Sequence, residues 1–449
     1  MNNWIERDLN VLWHPYTQMK DCRLSPPILI EKAAGAKLYD SQGNFYYDTI
    51  SSWWCSVHGH NHPNIVAAIN DQLNSLDHVL FAGFTHKPAI NLAERLVSIA
   101  PQNLTRVFFS DNGSTAVETA LKMSLQYWFN TGQKQKKKFV SLDMGYHGDT
   151  FGAMSVSGPS IFNKPFSELL FDSLKVPTPY CYRCPMGKEK NNCDLECTKP
   201  LENLFNEQKD QIAALILEPL LMGAAGMIVY PPEYLKKAAA LASENDIHLI
   251  ADEVATGFGR TGKMFACEHA NVTPDFLCLS KGLTSGTLPL AATVTTEKIY
   301  QAFYDDYEKF TTFYHGHTFT ANPIGCAAAL ASLDIFEQEK TLQKIAPLIT
   351  TLHARAEDFK SLPHIGDVRY IGMVAAFELV KDKNTKQPFE NIRKISQQIF
   401  QAALKENLIL RPLASVIYLF LPLCLTHEEL TRILNSTQKI LSDIKIYTQ

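Results

Sequence analysis

The sequence predicts an α/β protein whose core is an open sheet, and three observations carry that prediction. Residues 248–251 (HLIA) and 276–279 (FLCL) are apolar throughout, and each run has the length of a buried strand. Each run stops on polar residues, Asp252 and Glu253 after the first, Ser280 and Lys281 after the second. Residues 106–110 form a further strand that meets a tight polar turn and a long helix starting near Ser114. Ligands of open α/β sheets sit in the crevice outside the carboxyl ends of the strands. Asp252 and Lys281 are therefore expected to point into one cleft from neighbouring strands.

A chain of 449 residues is long enough for two or three domains with a sizeable core. Its 46% hydrophobic and 20% charged residues are the balance of a water-soluble globular protein. A net charge of -4 gives no global pull toward nucleic acid or an anionic membrane. The one basic run, 134–138 (KQKKK), falls between a helix and a strand and reads as a solvated loop. The opening MNNWIERDLNVLWHPY lacks the apolar stretch of a secretory signal, and no apolar run approaches the length of a membrane span. A cytoplasmic enzyme is expected, with most of its ten cysteines reduced.

Residues 13–19 (WHPYTQM) carry Pro and aromatics without a period, which predicts an extended piece packed down on another surface. A small sheet follows, with AKLYD and FYYDTIS as strands around a turn at 41–44. In SSWWCSVHGHNHP, Trp53 and Trp54 cannot both face one side of an extended chain, so one is expected in a core and the other in a pocket. Pro63 suits the first position of a helix, with Ile65, Ile69, Leu73 and Leu76 along one face. Another helix runs from about 89 to 100 and stops at Pro101.

The start of the helix near Ser114 offers free backbone N–H groups and the positive end of the helix dipole, an anion site. Asn112, Gly113 and Ser114 are therefore candidates to hold a phosphate. The segment FVSLDMGYHGDTFGAMS gives another strand, ending near Tyr146, whose ring could stack on a flat ligand. Cys181, Cys184, Cys193 and Cys197 then form C-x2-C-x8-C-x3-C in a polar, turn-rich insert. Four thiols so spaced could close a tetrahedral zinc site, which would be structural because no ligand position is left open. The central gap is short and no zinc-ribbon pattern surrounds it, so spacing leaves both readings standing. No catalytic metal is expected.

IAALILEPLLMGAAGM supplies a strand ending at Glu218, and Pro231 and Pro232 open a helix through Ala242. After Lys281, LPLAATVTT reads as another strand. From about Cys326 the pattern is helical, with Leu330, Leu333 and Phe336 on one face. A smaller α/β domain follows: MVAAFELV as a strand, a helix from about Asn391, then LILRPLASVIYLFLP. A helix from His427 to about Ile444 closes it. Arg411 lies between apolar segments, and a largely buried Arg requires an anion whose plane its fork matches. A carboxylate of the protein or of a ligand would serve. There are no internal repeats or low-complexity linkers.

A lysine and a carboxylate in one cleft are what an aldehyde cofactor with a ring nitrogen needs. The lysine bonds the aldehyde, and the carboxylate holds the proton on the ring nitrogen. Either residue alone has an ordinary explanation, a helix N-cap for the Asp or a solvated cation for the Lys. Together, with FGRTGK between them, the pair resembles the pyridoxal-phosphate signature of the class III aminotransferases. Within that family, WHPY and SSWW resemble the 8-amino-7-oxononanoate aminotransferases of biotin synthesis. The resemblance covers nearly the whole chain, with the motifs in the expected order.

That resemblance implies a type I fold with two parts. The large domain, 61–330, would hold a mostly parallel seven-stranded sheet and the insert 181–197, and a small α/β domain would come from both chain ends, 1–60 and 331–449. It implies pyridoxal 5'-phosphate held by Lys281 and Asp252, with Tyr146 on the ring and Asn112, Gly113 and Ser114 at the phosphate. In FYHGHTFTANP, Thr318 would bind the cofactor phosphate of the other subunit, which implies a homodimer with shared active sites. His317 stands where near relatives often have Pro, which leaves the shape of that loop open.

On the substrate side the resemblance implies Tyr16, Trp53, Arg260 and Gly316, with Arg411 on the distal carboxylate and Tyr418 nearby. Asp149 would belong to the surroundings of the site. Relatives acting on ornithine or γ-aminobutyrate carry a gating Glu that would fall near Gly223 or Ala224, which counts against those substrates. The implied reaction aminates 8-amino-7-oxononanoate to 7,8-diaminononanoate, with S-adenosylmethionine as donor or, in a minority of relatives, lysine. Only small-molecule substrates are implied, without nucleic acid or membrane. An ω-amino acid:pyruvate aminotransferase is the main alternative. An isomerase or decarboxylase on the same fold, and a cysteine-cluster binding protein, are the others.

Overall fold

The computed structural model describes residues 3–189 and 192–444. Its centre is a seven-stranded sheet in the order Leu104–Ser110, Ala291–Thr296, Phe276–Leu279, His248–Asp252, Ile212–Leu217, Lys138–Leu142, Leu174–Val176. Ala291–Thr296 runs antiparallel to both neighbours, and the other pairings are parallel. The composition explains the arrangement. Ile212–Leu217 and His248–Asp252 are buried at every position, as strands covered on both faces must be.

The period of two divides these strands between two layers. Ile216 and Ile250 pack with Ala116, Val117 and Ala120 of the helix Gly113–Asn130 on one face. Leu215 and Leu249 belong to the core that holds Tyr234, Leu235 and Ala238 of the helix Pro232–Glu244 on the other. The parallel strands therefore deliver their carboxyl ends, Ser110, Asp252 and Leu279 among them, to one edge of the sheet.

Two small antiparallel sheets flank this body, Ile30–Ala34 with Lys37–Asp40 and Phe45–Tyr47, and Ile365–Ile371 with Val374–Leu379 and Val416–Phe420. Backbone hydrogen bonds tie the two chain ends together: Tyr47 donates to Asn407 at 2.8 Å, Ile409 to Tyr47 at 3.0 Å, and Phe420 to Thr49 at 2.8 Å. Three buried charged or phenolic groups lock the loop after Leu174–Val176 onto the second sheet. Arg369 Nη1 donates to Glu378 Oε2 at 2.8 Å and to the Tyr180 hydroxyl at 2.9 Å, and that hydroxyl donates to Glu378.

Several expectations are corrected. The strand before Tyr146 ends at Leu142, because Gly145 donates back to the Leu142 carbonyl and turns the chain. The helix Pro63–Leu73 buries Ile65, whereas Leu73 is exposed and Leu76 lies beyond the helix end. Lys136 of the basic run is buried, its ammonium 4.2 Å from the Trp128 ring centroid and donating to the Asp246 carbonyl. Long cations cover apolar rings in this way while the head group keeps a polar partner. Trp13 is exposed rather than packed down. Among the described residues no group of three or more His, Cys, Asp or Glu side chains is placed to hold a metal ion, so the zinc option gains no support. Cys181, Cys184, Cys193 and Cys197 form no disulfide with one another, and burial first, then the neighbouring thiols, pushes Cys197 up to about 11.

Candidate active site

Asp252 is the last residue of its strand and is buried. Its Oδ1 accepts the backbone N–H of Val254 at 3.1 Å, and its Oδ2 lies 2.8 Å from His147 Nδ1. Lys281 follows the neighbouring strand with φ at +44°, a left-handed conformation that a lysine adopts only when its surroundings require it. As a residue it is partly open to the cavity, yet the protein packed round its amine lowers its pKa, with Asp252 and Glu218 opposing. A lowered pKa makes the free amine more available as a base.

The third corner is the N-terminus of Gly113–Asn130. Asn112 caps it, accepting the Thr115 N–H at 3.1 Å while Thr115 Oγ1 accepts the Asn112 N–H at 3.2 Å. Two glycines keep this corner open. A Cβ on Gly113 would lie 2.6 Å from Val254 Cγ1, and one on Gly148, whose φ is +126°, would collide with Ser114 Oγ. Ser114 Oγ accepts the Asp149 N–H at 3.1 Å.

These corners enclose a cavity of about 410 Å³ whose walls include Asn112, Gly113, Ser114, Tyr146, Asp252 and Lys281. That volume suits a small molecule. An amine, a buried carboxylate and a helix N-terminus with no side chain in the way are the donor set that pyridoxal phosphate needs for its aldehyde, ring nitrogen and phosphate. The cavity fits the cofactor. A wider crevice of about 900 Å³, between residues 24–28 and the C-terminal helices, offers no such set.

Trp54 lies over the amine, with Lys281 Nζ 4.7 Å from its ring centroid. The SSWW turn achieves this by leaving the extended conformation: Ser51, Ser52 and Trp54 all have positive φ. Trp54 Nε1 donates to the buried Tyr418 hydroxyl at 3.2 Å, and its ring stacks on Phe420. Trp53 points the other way. Tyr16 meets it edge-on at 5.6 Å, and the Arg411 guanidinium lies 4.3 Å over its ring. The Tyr16 hydroxyl donates to Asp149 Oδ2 at 2.5 Å and lies 3.2 Å from the Tyr146 hydroxyl, which donates to Asp149 Oδ1 at 3.0 Å. Burial, then the bond to Asp149, pushes Tyr16 up to about 12, and burial likewise raises Tyr146. Both phenols stay protonated.

Two candidates, Arg411 and Arg260, differ from expectation. Arg411 is half-buried, not largely buried, and among the described residues no carboxylate pairs with it; stacking on Trp53 leaves its donor edges free. Arg260 is wholly buried and does not line the cavity. Its Nη1 donates to the Leu421 carbonyl, its guanidinium lies 4.3 Å over Phe420, and Nη2 has no partner among the described residues. Burial without a close anion lowers Arg260 to about 9. Gly316 and Thr318 are exposed and lie outside the cavity wall of this chain. His317 shapes their loop, its backbone N–H donating to Thr320 Oγ1 at 3.1 Å and its carbonyl accepting from the same hydroxyl at 2.8 Å.

Sequence reasoning missed His147, Glu218 and Trp54 as site residues. Glu218 sits in the cavity wall, accepting the N–H groups of Tyr146 at 3.1 Å and Gly223 at 2.9 Å, and burial raises it to about 7. The signal for it was present, since its strand ends where the neighbouring strand offers Asp252. Among the described residues no helix is long and apolar enough to cross a membrane.

Comparison with known proteins agrees with this geometry. The family model described as aminotransferase class-III matches residues 19–441. An adenosylmethionine-8-amino-7-oxononanoate aminotransferase of Geobacter sulfurreducens is 45% identical over 440 residues, 98% of this chain and 96% of the relative. One from Anoxybacillus flavithermus is 46% identical over 430 residues, 96% of this chain and 94% of the relative. The crystal structure of the same-named enzyme from Methanocaldococcus jannaschii superposes with a TM-score of 0.94 at 41% identity, covering 99% of each chain. An omega transaminase from Pseudomonas jessenii in complex with PMP gives 0.95 at 32% identity over 100% of this chain and 99% of that one. With the family model spanning nearly its full length, this chain belongs to the class III aminotransferases.

Proposed function

We propose that this enzyme transfers an amino group from S-adenosylmethionine to 8-amino-7-oxononanoate, a step of biotin synthesis. The observation that carries the substrates is the 45% identity, over 98% of the chain, to a relative named for that donor and acceptor. The reaction type rests on Lys281, Asp252 and the N-terminus of Gly113–Asn130 facing one cavity.

Bound pyridoxal phosphate supplies an aldehyde that takes up the amine and a ring that accepts the electrons released at the amine-bearing carbon. The chain does the rest. Asn112, Gly113 and Ser114 hold the phosphate at the helix N-terminus. Asp252 keeps the proton on the ring nitrogen, and Tyr146 covers the ring. Nζ of Lys281, less basic through burial, takes the proton from the amine-bearing carbon of the donor and returns it for the acceptor. Arg411 offers its free donor edges to the distal carboxylate of the acceptor, and Tyr16 and Trp53 frame the same entrance.

The test is absorbance of the cofactor-loaded enzyme. S-adenosylmethionine alone should change the cofactor band, and 8-amino-7-oxononanoate should reverse the change. The same cycle with lysine keeps the acceptor and replaces the donor. Conversion by ornithine or alanine only, without reversal by the keto acid, overturns the assignment.

A homodimer with shared sites is part of the proposal, with Gly316 and Thr318 completing the partner's cavity. Mixed dimers of Lys281→Ala and Thr318→Arg chains should regain activity that neither parent has, because one of their two sites would be intact. No recovery overturns sharing. The backbone hydrogen bonds that join Tyr47 to Asn407 and Ile409, and Thr49 to Phe420, support a small domain made from both chain ends. A cytoplasmic location also belongs to the proposal, and cysteines that form no disulfide among the described residues suit a reducing compartment.

A further inference from the structure

We propose that Cys181 and Cys184 are a reversible modification site: a small-molecule disulfide of the glutathione type oxidises them to a Cys181–Cys184 disulfide. That bond locks the loop they carry onto the sheet of Ile365–Ile371, Val374–Leu379 and Val416–Phe420.

Tyr182 and Arg183 form a turn between the two cysteines. A turn of four residues holds its first and fourth α-carbons within about 7 Å, and disulfides bridge α-carbons up to about 6.8 Å apart. The backbone therefore sets this pair near bridging distance. Both cysteines are partly exposed, so a dissolved disulfide can reach them. The other two cysteines of the insert compete less well. Cys193 Sγ accepts the Leu195 N–H at 3.3 Å, and Cys197 is buried and held as a thiol by that burial.

The two residues inside the turn are the ones that grip the sheet. Arg183 Nε donates to Glu378 Oε1 at 2.9 Å, and its Nη2 donates to the Lys386 carbonyl at 3.0 Å. Lys386 Nζ donates to the Tyr182 carbonyl at 2.7 Å and lies 4.8 Å from the centroid of its ring. A Cβ on Gly366 would collide with the Tyr182 hydroxyl, so the phenol fills room that only a glycine leaves. Glu378 stands in the strand that pairs with Val416–Phe420, where Ala376 lies opposite Tyr418. A bond across the turn thus constrains the residues that join the loop to the strand beside Tyr418. Cross-linking removes freedom from the unfolded chain, whereas a turn already closed and docked at both inner residues has little to lose.

The step is thiol–disulfide exchange. One cysteine, as its thiolate, attacks a sulfur of the reagent, forming a mixed disulfide and releasing one reduced thiol. The second cysteine displaces the other half. Two protein S–H bonds and the reagent S–S bond are lost, one protein S–S bond forms, and two reagent thiols carry away both protons and both electrons. Disulfides of C-x-x-C pairs lie close in potential to the glutathione couple, and those of reducing compartments are mostly transient. The site is therefore reduced at rest and responds when the couple shifts.

The test uses the full-length protein incubated with oxidised glutathione, alkylated and digested for mass mapping, with thermal melting in parallel. Two thiols per chain should disappear, residues 181 and 184 should share one disulfide, and dithiothreitol should restore both thiols. The oxidised protein should melt a few degrees higher than the reduced one. Cys184→Ser should melt like the reduced wild type and gain nothing from oxidised glutathione. No loss of thiols, a mixed glutathione disulfide only, or a bond through Cys193 or Cys197 overturns the site. A Cys181–Cys184 bond with unchanged or lower melting overturns the lock, as does a rise that persists in Cys184→Ser. If that variant does not fold, mapping and melting of the wild type decide alone.

Discussion

Trp54 closes the space beside Gly223: a Cβ on that glycine would lie 3.1 Å from the Trp54 Cζ3 atom. The absence of a Glu at this place is thus packed into the cavity wall, because the indole fills the room such a side chain would need. The same ring stacks on Phe420, donates to Tyr418 and lies over the Lys281 amine, so it has nowhere to retreat. Gly223→Glu is expected to cost about 1–3 kcal/mol, the usual range for overpacking, and to lower kcat through the displaced indole. Thermal melting and steady-state kinetics check this together. A Glu variant with unaltered melting and turnover would show that Trp54 yields freely.

Lys281→Ala should abolish multiple turnover while non-covalent cofactor binding survives through the helix N-terminus and Asp252. Removing a positioned proton-transfer group costs about 10²–10⁴-fold on that ground alone, and loss of the covalent attachment adds to it. Measurable repeated turnover by the variant would remove Lys281 from the mechanism.

Much of this site was legible because strand ends are written as a change from apolar to polar residues. Residues 248–252 and 276–281 showed it, and so did the turn before Gly113. Trp54 was harder to read. The expectation of an extended chain sends alternate residues to opposite faces, and Ser51, Ser52 and Trp54 break that rule with left-handed φ. His147 was hidden for another reason. Its role is a contact across 105 residues of sequence, and no local pattern distinguishes a histidine that faces a carboxylate from one that packs. Arg260 misled in the opposite direction: it sits within the motif, yet its guanidinium is spent on Phe420 and Leu421.

Gly113→Ala tests the phosphate corner. The new methyl would press on Val254 Cγ1 at 2.6 Å, and a branched side chain beside the strand end has few ways to yield. The expected result is cofactor affinity weakened about tenfold or more, as overpacking of about 1–3 kcal/mol shifts the N–H groups that face the phosphate. Titration of the cofactor-free protein with pyridoxal phosphate reads it directly. Unchanged affinity would place the phosphate elsewhere.

Arg411→Ala should act on the acceptor and not on the donor half of the reaction. A charge-assisted hydrogen bond is worth about 1.5–3 kcal/mol, so the acceptor KM should rise about 10- to 100-fold with kcat little changed. Arg411→Lys should recover only part of this, since a lysine lacks the planar fork and the stacking surface that Trp53 now meets. An unaltered acceptor KM in the alanine variant would end the carboxylate role.

Glu218 should leave a pH signature in stability. Burial raises its folded pKa from 4.5 to about 7, so between those values the folded protein holds a proton that the unfolded chain has released. The stabilisation is complete below the unfolded value and is lost as pH rises through the folded one, with a slope of at most about 1.4 kcal/mol per pH unit. Glu253, also raised to about 7, adds a slope of the same sign. His58 and His248, lowered by burial to about 4 and about 3, add slopes of the opposite sign. Those contributions are common to the wild type and to Glu218→Gln and cancel in their difference. The variant is expected to be less stable throughout, because an amide cannot accept from both Tyr146 and Gly223 as the carboxylate does. Its deficit in melting temperature should be largest near the unfolded pKa and shrink toward a plateau above the folded one. A deficit that is flat across that window would mean that Glu218 does not titrate there.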